Sequence, residues 1–338
     1  MGFIPHSSAA VGIFYSFFTM KLAVFLPKGF EFSKKNRQDV VSAFPDASVH
    51  VAKDEHGLLQ MMPEAEVLIC GNYNFRPEWL AVAKRLKIIQ SIAAGNERIL
   101  PMLKGSKVLL ADASGVHAIP IAEQVLGYML TLERQLLAAV KNQERKEWNR
   151  DLAVGELNGK TVLIVGLGAV GRGIAGLCNC IGMNVIATKR TVPKNEEGVG
   201  GLHPAAKLHL LLPLADYVVL SLPATNETRH MFGAKEFSLM KRTANFINIA
   251  RGSVADEPAL VEALEKRKIA GAALDVFEKE PLPKDSPLWE MENVIITPHS
   301  AGLTPYYIDR VVRIFCKNLR AYLDGKQMPT LVDEKKGY

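Results

Sequence analysis

Cysteine is scarce in this chain: the 4 present among 338 residues, Cys70, Cys178, Cys180 and Cys316, have neither disulfide-framework nor metal-site spacing. Cys178 and Cys180 stand two apart on an expected helix, where their side chains diverge. All four are read as buried thiols of a reducing, cytoplasmic compartment, with no metal. Long apolar runs are missing too. Val11–Phe18 (VGIFYSFF) is cut short by Lys21 before it reaches the ~20 residues a bilayer span takes, so no membrane association is expected. The basic excess, 41 Lys and Arg against 35 Asp and Glu, is scattered among acids, as in Lys141–Arg150 (KNQERKEWNR). Without a basic arm or an aromatic-interleaved patch it argues against nucleic acid, and a charge of +6 suits small anionic ligands. Internal repeats and low-complexity tracts are also lacking.

What the chain has is length and apolar material. A single core stops growing near ~250 to 300 residues, so two domains are expected. From Met20 to about Ala113, the strands KLAVFL, VHVA, VLIC, KIIQSI and VLLA alternate with helical segments. The central region repeats the alternation with TVLIV, NVIAT, YVVLSL, ANFINI, GAALDV and NVIIT, apolar on both faces as in a covered parallel sheet. Between the two regions, Ala118–Gln143 reads as one long helix with Pro120 near its start. It can bridge two domains or pack against its mate in a homodimer. After Pro305 a last amphipathic helix runs to Gly325. Residues 1–19 are read as a misassigned start or a dispensable extension, with a signal sequence as the alternative.

Val162–Gly171 (VLIVGLGAVG) is an apolar strand that enters a glycine turn and opens a helix. Gly166 takes the tight turn, Gly168 leaves the backbone bare for a pyrophosphate, and Gly171 lets the helix press on the sheet. The amides around Ala169 and Val170, at the positive end of the helix, then face the phosphates of a dinucleotide. The alternative is an ordinary strand, turn and helix with no ligand. Where an NAD site usually places a carboxylate for the ribose, this chain has Lys189 and Arg190, with no acid before Glu196. A cationic pair there attracts the extra phosphate of NADP. NADP is therefore the expected cofactor and NAD the alternative, in which case the two cations are solvated loop charges.

Three charged residues follow strand ends in the second half of this region: Arg251 in NIARGS, Glu280 in DVFEKEPLP and His299 in TPHSAG. Strand carboxyl ends border the ligand crevice of an open parallel sheet, so each can reach a bound cofactor. Taken singly, the His is a surface or core residue, the Glu a loop charge, and the Arg a helix cap or a partner for Asp256. Spacing alone does not show that they meet.

The ordered motifs GLGAVG, LSLPATNETRHMF, NIARGSVADEPALVEAL, GAALDVFEKEPLP and NVIITPHSAGLT make the chain resemble the D-isomer-specific 2-hydroxyacid dehydrogenases over essentially everything after Met20. The resemblance implies an α/β fold of two Rossmann-like domains. One is a central nucleotide domain with a doubly wound parallel sheet, residues 118–305. The other is a discontinuous, flavodoxin-like substrate domain, residues 20–117 with 306–338. It further implies that Arg251 binds substrate and polarises its carbonyl, that Glu280 orients the histidine, and that His299 donates the proton. Asp275 would contact the nicotinamide amide, and Leu222, Pro223, Thr228 and Ile249 would line the cofactor site. SIAAGNERI is similar to the family's substrate loop, so amides around Ala94 and Gly95 would hold the substrate carboxylate, with Asn72 to Arg76 nearby. Lys189 departs from the Asp of most members and resembles the NADP-using glyoxylate and hydroxypyruvate reductases. The expected reaction is reduction of a small 2-keto acid to the D-2-hydroxy acid. Phosphohydroxypyruvate is the alternative substrate, and a nucleotide-sensing, corepressor-like binding protein is the alternative class.

Overall fold

The structure, a computed structural model, describes residues 19–96, 98–192 and 198–333. The N-terminal extension up to Phe18, and Glu196, lie outside the described residues. The chain folds as two units: one runs through Val116 and resumes at Tyr306, and the other is His117–Pro305.

The first unit alternates strands and helices. In order they are β1 (Met20–Phe25), α1 (Lys34–Ala43), β2 (Ala47–Val51), α2 (Glu55–Met61) and β3 (Val67–Cys70). Then come α3 (Glu78–Val82), β4 (Ile88–Ser91), α4 (Ile99–Met102) and β5 (Leu109–Ala111). The second unit opens with α5 (Ala118–Glu133), α6 (Leu136–Glu144), β6 (Thr161–Val165), α7 (Ala169–Cys180), β7 (Asn184–Lys189) and β8 (Gly201–Pro204). It continues with α8 (Leu208–Leu211), β9 (Tyr217–Leu220), α9 (Ala234–Leu239), β10 (Asn245–Asn248), α10 (Glu257–Glu265), β11 (Gly271–Leu274) and β12 (Val294–Ile296). The last helix, α11 (Tyr307–Leu323), belongs to the first unit.

Among the described residues the first sheet has the order β2-β1-β3-β4-β5, and all its pairings are parallel. That is the flavodoxin-like order. Its strands are apolar on both faces because helices cover both: Leu22, Val24, Val67 and Ile69 pack toward α1 and α11, while Ala23, Leu68 and Ile89 pack with Leu58 and Trp79 on the other side. Helix α11 buries Ile308, Val311, Val312, Phe315 and Leu319, the spacing of one apolar helical face. Gly325 (φ 68°) follows it, as the sequence leads one to expect.

The second sheet, also fully parallel, has the order β12-β11-β10-β9-β6-β7-β8. Strands β6 to β8 are added toward one edge and β9 to β12 toward the other, so the crevice at the carboxyl ends of β6 and β9 is the topological switch point of a doubly wound sheet. Both of its faces carry a core, one around Phe232, Phe237 and Phe246 and the other around Ile164, Ile174 and Ile247.

Three expectations need correction. The long helix Ala118–Gln143 is two helices, because Gln135 adopts the left-handed conformation (φ 55°) and its side-chain amide bonds the Leu132 carbonyl. The edge strand β8 was not foreseen: GLHP is short, ends in proline and is only half-buried, so it lacks an apolar strand signature. The four thiols are not uniformly buried either. Cys70 and Cys178 are, but Cys316 is half-buried and Cys180 faces solvent, because two positions along α7 carry the chain to its opposite side.

Candidate active site

The glycine turn closes as its spacing requires. At Gly166 (φ 101°) a Cβ would lie 2.3 Å from the Ser221 carbonyl oxygen, so only glycine lets β6 and β9 approach there. At Gly171 a Cβ would lie 2.4 Å from the Gly166 carbonyl oxygen, which forces the first turn of α7 onto the loop. Gly168, by contrast, has nothing within 4 Å of where its Cβ would stand. It opens α7 with no side chain capping the helix. The first amides of a helix have no partner within it and sit at its positive end. A bare, exposed turn with uncapped amides fits a dinucleotide pyrophosphate. Beyond it, β7 ends on half-buried Lys189 and is followed by exposed Arg190, whose guanidinium is 3.8 Å from Glu227.

Arg251, Glu280 and His299 come together at the carboxyl ends of β10, β11 and β12. After β10, the buried Asn248 side chain accepts from Ala250 N at 3.0 Å and donates to Arg251 O at 3.1 Å, which fixes the turn that carries Arg251. The next residue is Gly252, where a Cβ would fall 1.9 Å from the Phe277 carbonyl carbon. This contact presses the Arg251 turn against the segment leading to Glu280. Glu280 folds back so that Oε1 accepts from Phe277 N at 3.1 Å, and Oε2 lies 2.7 Å from His299 Nδ1. His299 itself takes a left-handed backbone (φ 52°), a conformation that costs a non-glycine residue on the order of 1–3 kcal/mol and persists only where neighbours enforce it.

The electrostatics agree with the geometry. Burial pushes the Glu280 carboxyl upward, but its bonds to His299 and to the Phe277 amide, with the charges of His299 and Arg251, together hold it below the usual carboxylate range. Glu280 is thus an anion, and with its carboxylate on Nδ1 the ring leaves Nε2 for a ligand. Both side chains stay accessible, at 49% for His299 and 37% for Glu280.

Other expected site residues are placed as follows. Leu222 is half-buried and Pro223 exposed beyond β9, and Thr228 Oγ1 closes this loop with a 2.8 Å bond to Pro223 O. Ile249 packs into the core with 8% exposure. Asp275 is buried, and its carboxylate accepts from Thr297 Oγ1, Ser300 N and Ala301 N. In the first unit, Ala94 and Gly95 follow β4 in a loop braced by Asn96, whose Nδ2 donates to Asp112 Oδ2 at 3.0 Å. Asn72 is buried there too, accepting from Ile99 N at 3.0 Å. Sequence reasoning missed Asn248, Gly252 and a second histidine–carboxylate pair, His230–Glu278, that ties the loop after β9 to the residues just before Glu280. Of these, the glycine beside Arg251 was the one visible signal.

Residues 126–301 match the model of the D-isomer specific 2-hydroxyacid dehydrogenase NAD-binding domain. The chain belongs to this family. It is 34% identical over 301 residues to a glyoxylate reductase of Thermofilum pendens, covering 86% of this chain and 89% of that protein. It is 33% identical to a D-3-phosphoglycerate dehydrogenase of Methanocaldococcus jannaschii, again over 86% of this chain, but spans only 57% of that relative's length. Among solved structures, a D-isomer specific 2-hydroxyacid dehydrogenase of Xanthobacter autotrophicus in complex with NADPH and MES superposes with a TM-score of 0.77 at 29% identity, covering 94% of this chain and 99% of that one. The family is one of NAD(P)-dependent oxidoreductases, as the glycine turn and the charged triad lead one to expect.

Proposed function

We propose that the protein reduces a small 2-keto acid, glyoxylate or hydroxypyruvate first, to the D-2-hydroxy acid, using NADPH in preference to NADH. A bound nicotinamide supplies the hydride. As the carbonyl is reduced, negative charge grows on its oxygen, and the Arg251 guanidinium stabilises that charge while gripping the neighbouring carboxylate through paired hydrogen bonds. His299 delivers the proton from Nε2, a general-acid step typically worth ~100 to 10,000-fold in rate. Glu280 holds the ring through its Nδ1. The amides around Ala94 and Gly95 are assigned to the substrate carboxylate. Leu222, Pro223, Thr228, Ile249 and Asp275 are assigned to the cofactor.

The single observation that carries this reading is the 2.7 Å contact between His299 Nδ1 and Glu280, with Arg251 close enough to help hold that carboxylate charged. Preference for NADPH rests on Lys189 and Arg190 where a ribose-binding carboxylate would stand, and a relative crystallised with NADPH supports it. Phosphohydroxypyruvate is the second substrate to try, since one relative is named for that chemistry. Among the described residues no helix is long and apolar enough to cross a membrane. We further assign the protein to the cytoplasm as a homodimer, with the exposed apolar residues of α6 as the candidate contact.

The test is a panel of 2-keto acids mixed with NADPH or NADH, following nicotinamide absorbance, for the wild type and His299→Ala. Glyoxylate or hydroxypyruvate should be reduced with higher kcat/KM for NADPH. His299→Ala should lose at least ~100-fold in turnover while still binding NADPH. Tight NADPH binding with no acid reduced would point to a sensor instead, and near-native turnover in His299→Ala would remove the histidine from its role.

A further inference from the structure

His299 sits in a loop whose shape is dictated from beneath by one carboxylate. Asp275, 3% exposed at the end of β11, accepts from Ser300 N at 2.9 Å and from Ala301 N at 3.2 and 3.1 Å through its two oxygens. Its main-chain oxygen accepts from His299 N at 2.9 Å. On the other side of the histidine, Thr297 Oγ1 donates to Asp275 Oδ1 at 2.5 Å. The left-handed residue is therefore held both before and after by the same buried acid, which is how an unfavourable backbone conformation is kept in a single state.

The chain of bonds extends one residue further, to a side chain remote in sequence. Tyr128, on α5 and 3% exposed, bonds its hydroxyl to Thr297 Oγ1. Proton bookkeeping fixes the direction. A threonine hydroxyl has one hydrogen, and that one goes to Asp275, so Thr297 accepts from Tyr128. Gln124, one turn earlier on α5, bonds the same phenol. Burial, aided by the Asp275 charge, raises the Tyr128 hydroxyl above its ordinary range despite the bonds to Thr297 and Gln124, so it stays protonated and able to donate. Hydrogen bonds in series polarise one another, and donors aligned on a buried carboxylate fix it more tightly than either would alone.

We propose that Tyr128 is a positioning residue for the reaction: through Thr297 it fixes the Asp275 carboxylate, and through that carboxylate the backbone that aims the His299 ring. This rests on the reading of His299 as proton donor. Tyr128 makes no hydrogen bond to the His299 ring, and Asp275 with its backbone bonds is kept when Tyr128 is changed, so the effect falls on turnover more than on cofactor affinity.

The experiment compares Tyr128→Phe, Thr297→Val and Thr297→Ser with wild type by kcat, KM for NADPH, melting temperature and the backbone amide NMR signals of Ser300 and Ala301. Misplacing a catalytic group by about 1 Å can cost ~100-fold. Removing the outer hydroxyl should therefore lower kcat about tenfold in Tyr128→Phe, and removing the inner one about a hundredfold in Thr297→Val. KM for NADPH should stay within about twofold, and the two amide signals should move in both variants. Thr297→Ser, which keeps the hydroxyl, should recover most of the turnover lost in Thr297→Val. Unchanged kcat and unmoved amides in Tyr128→Phe would overturn the proposal, as would a parallel collapse of kcat, NADPH binding and melting temperature. Failure of the parent reading looks different: His299→Ala would then be active, while the amide signals would still report whether Tyr128 shapes the loop.

Discussion

Glu280 takes one hydrogen bond on each oxygen, from the Phe277 amide and from the His299 ring, and feels the Arg251 charge as well. Its folded pKa lies below the ordinary value of 4.5. The stabilising contact with His299 is therefore complete above that ordinary value and is lost only as pH falls through the lower, folded one. Across the neutral range the His299 ring therefore always faces an anion. In Glu280→Gln the amide fills the same space without the charge. The expected outcome is a lower kcat/KM for keto-acid reduction, with a pH profile that lacks the acid-side fall that protonation of Glu280 causes in wild type. A superimposable profile would show that the carboxylate does not act on the proton donor. At this scale the three charged residues are legible in sequence, because each stands in its own motif after a strand. What is not legible is what holds them. Tyr128 and Thr297 are 169 positions apart, and no local pattern marks a hydroxyl pair brought together by packing of α5 under the sheet.

Elements set the distance between the charged loops, and a glycine decides one of those distances. At Gly252 a methyl would meet the Phe277 carbonyl carbon at 1.9 Å, its oxygen at 2.0 Å and Glu278 N at 2.3 Å. All three are backbone atoms, with no rotamer to yield. Gly252→Ala should therefore push the Arg251 turn away from the Glu280 segment, costing ~1 to 3 kcal/mol of stability as overpacking does. It should also reduce turnover by at least tenfold. Gly176, exposed in the interior of α7 with nothing within 4 Å, is the contrasting site. There Ala should be neutral, or stabilising by ~0.5 to 1 kcal/mol, with activity kept. Thermal melts and kcat of both variants check this, and a Gly252→Ala enzyme as stable and active as wild type would sink the packing argument. The parallel strands other than β8 were readable because both of their faces are apolar, and the turn at Gly166 because three spaced glycines follow a strand. The break at Gln135 was not, since neither proline nor glycine marks it and the apolar spacing runs through it into α6.

At the scale of the whole molecule the outlying feature is α6. None of its residues is buried, and Leu136, Leu137 and Val140 are exposed at 45%, 41% and 52%, with Trp148 just beyond it at 93%. Leu137 and Val140 are three apart, so they lie on one face. A contiguous apolar patch rimmed by charges is the mark of a protein contact, and a second copy presenting the same face makes a closed, two-fold interface. The scattered charge of the sequence does not reveal this face. It becomes visible only when none of the helix's residues is found buried, because the same apolar spacing would equally have served a buried helix. Light scattering behind a sizing column should give a mass twice the 37.1 kDa of the chain. Leu137→Asp with Val140→Asp places two like charges on that face in each copy, so four meet across the two-fold axis. The double variant should run as a monomer with its fold intact by circular dichroism. A wild-type chain that is monomeric at micromolar concentration, or a double variant that keeps the dimer mass, would remove α6 from the interface and leave its apolar face without a partner of the same kind.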